Sequence, residues 1–165
     1  MTAGASSTRV GWGFDAHRLD GEPPLKLGGV VVSDSLGVSA TSDGDVLAHA
    51  VTDALLGACV LGDLGEHFPS DDPTSTAADS MSLLRRAVAM AADAGWKAAH
   101  VDATVVAESI RVAPHRARII AGLGEALSLA DGAVSVKATS TDGLGFVGRG
   151  DGLAVVAVLT VVALS

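Results

Sequence analysis

The ten residues Leu153-Ala154-Val155-Val156-Ala157-Val158-Leu159-Thr160-Val161-Val162 carry no charge and are rich in β-branched side chains. Bounded by Gly152, they read as a strand. The whole apolar stretch from Gly152 to Ser165 is too short for a membrane-spanning helix, which needs about 20 residues. Alternation puts Val155, Ala157, Leu159 and Val161 on one face and Val156, Val158, Thr160 and Val162 on the other. Both faces are apolar, so both need a cover. A chain of 165 residues has room for one compact domain, and the second cover is expected from another subunit.

Working back toward the N-terminus, Val134 to Ala138 reads as a strand, and Pro114 suits the first turn of a helix ending near Leu129. Ala98 to Ala107 alternates, with Val101, Ala103 and Val105 set against Asp102 and Thr104. A helix from about Asp79 to Ala94 lines Met81, Leu84, Val88 and Ala91 on one face, with Gly95 at its C-terminal stop. Another begins at Asp45, where Val46, Leu47, Ala50, Val51, Ala54, Leu55 and Ala58 follow helical spacing. Ser42 with Asp45 resembles a capping box at its start, and Gly62 and Gly65 mark its end. Ser33 to Gly44 reads as a loop. Val10 to Asp15 and Leu25 to Val32 read as two strands, parted by a turn at Gly21, Pro23 and Pro24. The order is ββααβαββ. It predicts an α/β (α+β) domain over residues 1–165, a helix-backed mixed sheet of split βαβ or ferredoxin-like type, with residues 1–9 flexible.

Composition narrows the function. Eleven Lys+Arg against 19 Asp+Glu give a formal charge of −8, which argues against a nucleic-acid binder using a basic face. An anionic ligand must instead be held locally by metal ions, helix N-termini or single arginines. Cys59 is the only cysteine, so there is neither an intramolecular disulfide nor a multi-thiolate zinc site. It reads as a small core side chain. The first nine residues hold no apolar signal core, and a cytoplasmic, membrane-free location is expected.

Four places carry chemistry. Asp15-Ala16-His17 follows a strand, where residues two apart face the same side and a carboxylate and an imidazole can share a metal; the alternative is a turn aspartate beside an exposed histidine. His49 sits on an apolar helix face, either a hydrogen-bonded core residue or a ligand, with Asp45 and Asp53 one turn away to hold its second nitrogen. With Asp15 and His17 it makes a three-ligand N/O set that leaves a fourth position open, as catalytic zinc requires. Thr41-Ser42-Asp43-Gly44-Asp45 runs hydroxyls into a helix N-terminus, which is an ordinary cap or a phosphate seat. Thr139-Ser140-Thr141-Asp142-Gly143 leaves a strand as either a polar turn or a cradle for phosphate and a hard cation. His67, His100 and His115 read as solvated or capping residues.

As a set, these segments are recognisable. Gly13-Phe14-Asp15-Ala16-His17, Ser42-Asp43-Gly44-Asp45-Val46, His49 to Gly57, Leu61-Gly62-Asp63-Leu64-Gly65, Phe68-Pro69, Lys137-Ala138-Thr139, Gly143-Leu144-Gly145-Phe146 and Gly148-Arg149-Gly150 together resemble the 2-C-methyl-D-erythritol 2,4-cyclodiphosphate synthase family, over nearly the whole chain from Val10. That resemblance implies a lyase of non-mevalonate isoprene biosynthesis. It converts 4-diphosphocytidyl-2-C-methyl-D-erythritol 2-phosphate to the cyclic diphosphate and CMP, as a homotrimer with active sites between subunits. It implies zinc on Asp15, His17 and His49, and a second divalent ion, magnesium or manganese, on Asp142. Thr41 and Ser140 take catalytic positions. Substrate contacts fall on Asp15, His17, Thr41, Ser42, Asp63, Leu64 and Gly65, and on Phe68, Pro69, Ser70, Asp71 and Asp72. The nucleotide side falls on Ala107, Arg111, Val112 and Ala113 with Thr139, Ser140, Thr141 and Asp142. Phe146 and Arg149 match positions near the trimer axis.

The implied chemistry suits the residues. An ionised phosphate needs no strong general base, so a missing Ser-His-Asp arrangement is no objection, and cations offset the repulsion between the reacting anions. This chain also departs from the family pattern. Thr41 stands where a histidine is usual, Ser140 where a threonine is usual, and Asp142 where a glutamate is frequent. Ile110-Arg111 replaces a Pro-Lys pair, and Val156 takes a strand position that is acidic in some members. Two other readings share the ligand set: a zinc hydrolase, and a non-catalytic trimer binding zinc and nucleotide.

Overall fold

The structure, a computed structural model, describes residues 7–71 and 79–164. Its main sheet is built from β1 (Thr8–Arg18), β4 (Trp96–Val106), β5 (Val134–Thr139) and β6 (Gly152–Ala163), in the order β1-β6-β4-β5. β6 is antiparallel to both neighbours, while β4 and β5 are parallel. β1 and β4 therefore point the same way with β6 between them, the split βαβ arrangement. β4 and β5, joined through α4 (Arg116–Leu127), are adjacent parallel strands, so the sheet is mixed where a ferredoxin-like sheet alternates throughout.

Register decides what each face of β1 does. Gly11 and Gly13 are buried on its inner side, while Val10, Trp12 and Phe14 face outward at 64%, 62% and 47% exposure. The inner face is covered by α1 (Val46–Cys59), which lies across β1 and β6, and by α3 (Ser80–Asp93) and α4. Leu153, Val155, Ala157, Leu159 and Val161 of β6 are fully buried beneath these helices. The opposite side of β6 bears Val156 and Thr160, half-buried, and Val158, exposed. Thus one of the two apolar faces of β6 is packed within the chain, and the other has no cover among the described residues.

Several boundaries differ from expectation. Leu25 to Val32 is a hairpin of β2 (Leu25–Leu27) and β3 (Val30–Ser33), because Gly28 and Gly29, both at positive φ, reverse the chain between them. β1 begins at Thr8, so Thr8 and Arg9 are ordered strand residues, and it runs on to Arg18. The capping box at Ser42 does not form: Asp45 is the N-cap of α1, accepting from the N–H of Ala48 at 3.0 Å. Its carboxylate also takes the N–H groups of Gly28 and Gly29 at 2.9 and 2.6 Å, tying the hairpin to the helix start. α1 stops at Val60 in the left-handed region rather than at Gly62. Two short helices, α2 (Leu64–His67) and α5 (Gly145–Gly148), lie in segments read as turns, too brief for periodicity to reveal. Among the described residues no helix is long and apolar enough to cross a membrane.

Candidate metal centre and flanking clefts

The centre forms where α1 meets β1 backbone to backbone. A Cβ on Gly13 would lie 1.9 Å from the carbonyl oxygen of Ala50, and one on Gly11 would lie 1.8 Å from that of Ala54. Only glycine allows so close an approach. Asp15 and His17 continue the inner face of β1 two and four residues beyond Gly13, and His49 precedes Ala50 on the helix. The three side chains therefore converge. Asp15 Oδ2 is 3.0 Å from His49 Nδ1 and 3.2 Å from His17 Nδ1, and one ligand atom from each residue lies within 4.8 Å of the others. The His17 and His49 rings are 5.6 Å apart.

This geometry fits a divalent metal ion. Donors at about 2.0–2.1 Å around a tetrahedral ion of zinc's size sit about 3.3 Å apart, close to the separations found here. His17 Nδ1 is buried, and its 3.2 Å approach to Asp15 Oδ2 is not aligned as a hydrogen bond, an arrangement that an ion shared by the two would satisfy. Burial opposes ionisation of Asp15, yet the His17 and His49 imidazoles set against it outweigh that and hold the carboxyl at about 2. For His49, burial works against the imidazolium. The Asp15 hydrogen bond and charge, with Asp45 and Asp43 further off, reverse that and raise its pKa.

The second nitrogen of His49 is not held by Asp45 or Asp53. Asp45 is fully occupied at the helix cap. Asp53 accepts from the N–H of Leu64 at 2.7 Å, anchoring α2, and burial pushes its carboxyl up. His49 Nε2 instead meets Ser80 Oγ at 2.9 Å, with Ser42 Oγ more distant at 3.4 Å.

Three clefts hold most of the remaining sequence-predicted residues. Thr41, Ser42, Leu64, Gly65, Phe68, Pro69, Ser70 and Asp71 border one of about 500 Å³, with His49 in its wall. Asp63 stands just beyond, capping α2 by accepting from Glu66 N–H at 2.9 Å, and the Arg86 guanidinium lies 4.6 Å over the Phe68 ring. Asp72 falls outside the described residues. Ala107, Arg111, Val112, Ala113 and Thr139 border a second cleft of about 310 Å³, between β5 and the segment leading to α4. Phe146 and Arg149 border a third of about 280 Å³ with His17, and Arg149 Nε donates to Asp151 Oδ2 at 2.9 Å.

Ser140, Thr141 and Asp142 form the turn after β5. Asp142 has a positive φ of 55°, and its N–H donates to Ser140 Oγ at 3.3 Å. This turn is held by Glu108, which sequence reasoning passed over. Its carboxylate accepts from the N–H groups of Gly143 and Thr141 and from Thr141 Oγ1, at 3.1–3.2 Å, and the two backbone donors keep it below the usual carboxylate range. Asp142 does not join Asp15, His17 and His49 within one chain. β1 and β5 are opposite sheet edges, three strand spacings or roughly 14 Å apart.

Of the other histidines, His67 Nε2 contacts Leu61 O at 2.5 Å, His115 Nδ1 takes the Arg118 guanidinium at 2.8 Å, and His100 is exposed on β4. Cys59 is a buried free thiol, its pKa raised by burial. Ser80 and Asp43, the pair that reaches His49, were also missed. Ser80 lies 31 residues from His49, so spacing offers no signal, whereas Asp43 lies within the quoted Ser42-to-Val46 motif.

The chain was compared with known proteins. The YgbB family profile matches residues 8–162. A relative from Halorhodospira halophila named 2-C-methyl-D-erythritol 2,4-cyclodiphosphate synthase is 49% identical over 154 residues, covering 93% of this chain and 94% of that one. A Salinibacter ruber relative of the same name is 50% identical over 153 residues, 93% and 98% of the two chains. Among solved structures, the bifunctional IspDF of Campylobacter jejuni superposes with a TM-score of 0.94 at 37% identity, over 98% of this chain and 44% of that one. A CDP complex of Plasmodium falciparum IspF superposes at 0.83 with 28% identity, over 97% and 99%. With the profile spanning nearly the whole chain and half the residues shared with such relatives, the chain belongs to the YgbB family, alongside relatives named 2-C-methyl-D-erythritol 2,4-cyclodiphosphate synthase.

Proposed function

We propose that the protein is a lyase that closes 4-diphosphocytidyl-2-C-methyl-D-erythritol 2-phosphate into 2-C-methyl-D-erythritol 2,4-cyclodiphosphate, releasing CMP, in non-mevalonate isoprenoid biosynthesis in the cytoplasm. The observation that carries this reading is the convergence of Asp15, His17 and His49 beside a cleft, in a chain matched over 93% of its length by a synthase of that name. A new P–O bond forms between an oxygen of the 2-phosphate and the β-phosphorus, while the bond from that phosphorus to the CMP oxygen breaks. The nucleophile is already ionised, so the protein's task is to bring two anions together and hold them in line.

Asp15, His17 and His49 hold zinc, and Asp142 holds magnesium or manganese. When bound, these ions supply positive charge that polarises and orients phosphate oxygens. The hydroxyls of Thr41, Ser42 and Ser140 position phosphate groups, and Thr41 must do so without the imidazole usual at its position. The cleft at Leu64, Gly65 and Phe68 to Asp71, with Asp63, receives the erythritol part. Ala107, Arg111 to Ala113 and Thr139 to Asp142 receive the cytidine, a reading supported by the CDP-bound relatives. Phe146 and Arg149 contact substrate or the molecular axis.

The active unit is a homotrimer. Two independent features support it: the apolar outer face at Val10, Trp12, Phe14 and Val158, and the separation of the metal cluster from the Ser140–Asp142 turn on opposite sheet edges. A neighbour's β5 edge meeting this chain's β1 edge unites both halves. Phosphorus NMR of the diphosphocytidyl substrate with protein, zinc and magnesium tests the proposal. Cyclic diphosphate plus CMP, lost in His49→Ala, is expected. CMP with the uncyclised 2,4-bisphosphate, the product of water attack on the β-phosphorus, would make the protein a hydrolase. Intact substrate with zinc and CMP bound would make it a binding protein.

A further inference from the structure

By distance alone, Asp15 Oδ2, His49 Nδ1, His49 Nε2 and Ser80 Oγ form the Ser-His-Asp chain that no stretch of sequence displayed, with steps of 3.0 and 2.9 Å. Ser80 is nevertheless fully buried, and its hydroxyl proton points away from the histidine, donated to Asp43 Oδ1. A serine without access to substrate and with its proton committed elsewhere is no nucleophile. The same proton bookkeeping gives it another role. With its O–H spent on Asp43, Ser80 Oγ has only lone pairs to offer, so His49 Nε2 must carry a hydrogen and donate it. That leaves Nδ1, the atom facing Asp15 and His17, as the nitrogen that can give a lone pair to a metal ion when the ion displaces the proton shared with Asp15.

We infer that Asp43 and Ser80 are positioning residues that fix the tautomer and ring orientation of His49, presenting Nδ1 to the metal ion. This rests on the metal reading above. Asp43 is suited to the task because it is itself held: its Oδ1 also accepts from the N–H groups of Ser80 and Asp45, at 3.2 and 3.4 Å, and Lys26 Nζ stands 3.8 Å from Oδ2. Ser80 opens α3 and Asp43 lies just before α1, so the relay also locks the two helices' starts around the ligand. A metal-bound imidazole generally needs its other nitrogen tied in this way, and loss of the tie costs about 10- to 100-fold in metal affinity.

The test is zinc affinity, measured by competition with a chromophoric chelator, in the full-length wild type, Ser80→Ala, Ser80→Thr and Asp43→Asn. It is joined by long-range ¹⁵N–¹H NMR of the His49 ring in zinc-loaded wild type. Ser80→Ala is expected to lose about 10- to 100-fold, Ser80→Thr to recover most of that through its hydroxyl, and Asp43→Asn to fall between them. The ring should show Nε2–H with Nδ1 ligated. Wild-type affinity in a folded Ser80→Ala protein would overturn the inference while leaving the metal site intact. So would a His49 ring protonated at Nδ1 and ligated through Nε2, a readout that stands even if the variants fail to fold. A wild type that takes up no zinc would overturn the metal reading, and this inference with it.

Discussion

Gly13→Ala would probe the fold and the site together. The added Cβ would stand 1.9 Å from the carbonyl oxygen of Ala50, 2.7 Å from the nitrogen of Ala54 and 3.0 Å from the carbonyl carbon of Ala50. All three are helix backbone atoms, which cannot swing aside as a side-chain tip does. Ordinary contact begins at about 3.4 Å, so α1 and β1 must part by about 1.5 Å at this point. His49 is bonded to Ala50, and Asp15 is two residues along the strand. Such a shift takes the His49 Nδ1–Asp15 Oδ2 separation from 3.0 Å toward about 4.5 Å. Two donors sharing an ion at about 2.1 Å each cannot be more than about 4.2 Å apart. The expected result is at least a 100-fold loss of zinc affinity by chelator competition. Overpacking against backbone should also cost about 3 kcal/mol or more, lowering the melting temperature by roughly 6–12 °C. Gly57→Ala is the control. Nothing lies within 4 Å of its Cβ position on the exposed side of α1, so it should leave zinc binding unchanged and stabilise the protein by up to about 1 kcal/mol. A Gly13→Ala protein with wild-type zinc affinity and an unchanged melting temperature would refute the claim that this contact sets the metal centre.

Three further outcomes are expected. Val158→Asp puts a carboxylate in the middle of the apolar outer face, beside Trp12, and should yield folded monomers in sedimentation velocity with no cyclising activity; a trimer would refute the assignment of this face. Asp45→Ala strips the N–H groups of Gly28, Gly29 and Ala48 of their acceptor, the first and last of them buried, and should cost roughly 2–4 kcal/mol in urea unfolding, from the lost cap and the orphaned Gly28 donor; a loss under about 1 kcal/mol would show that the hairpin is held elsewhere. In the metal-free protein, the Asp15 carboxyl lies at about 2 when folded against 3.8 as its ordinary value. A depressed carboxyl contributes stability that is present above the ordinary value and lost as pH falls through the folded one. Asp15→Asn should therefore flatten the decline in stability between pH 4 and pH 2 by roughly 1–2 kcal/mol, after allowance for partial solvent screening. An unchanged slope in acid would show that the His17 and His49 contacts do not hold the charge.

Local pattern exposed much of this molecule. The alternation in β6 separated its two faces and showed that the second needs a cover, because a strand's side-chain period is a property of the chain alone. The spacing of Asp15 and His17 put both on one side of a strand for the same reason, and helical period placed His49 on the packed face of α1. What pattern left open was everything that depends on residues distant in sequence. That α1 seats on Gly11 and Gly13, bringing His49 to Asp15 from 34 residues away, follows from backbone contact between two distant elements. The partner of His49 Nε2 is Ser80, not the neighbouring Asp45 or Asp53, because each of those carboxylates is claimed by unpaired N–H groups from another segment. The same logic holds for Glu108, whose role exists only where the turn after β5 folds over it. Sequence determined which side chains share a face. Tertiary structure decided which faces meet, because a buried donor or acceptor takes the partner that packing brings to it, whatever its distance along the chain.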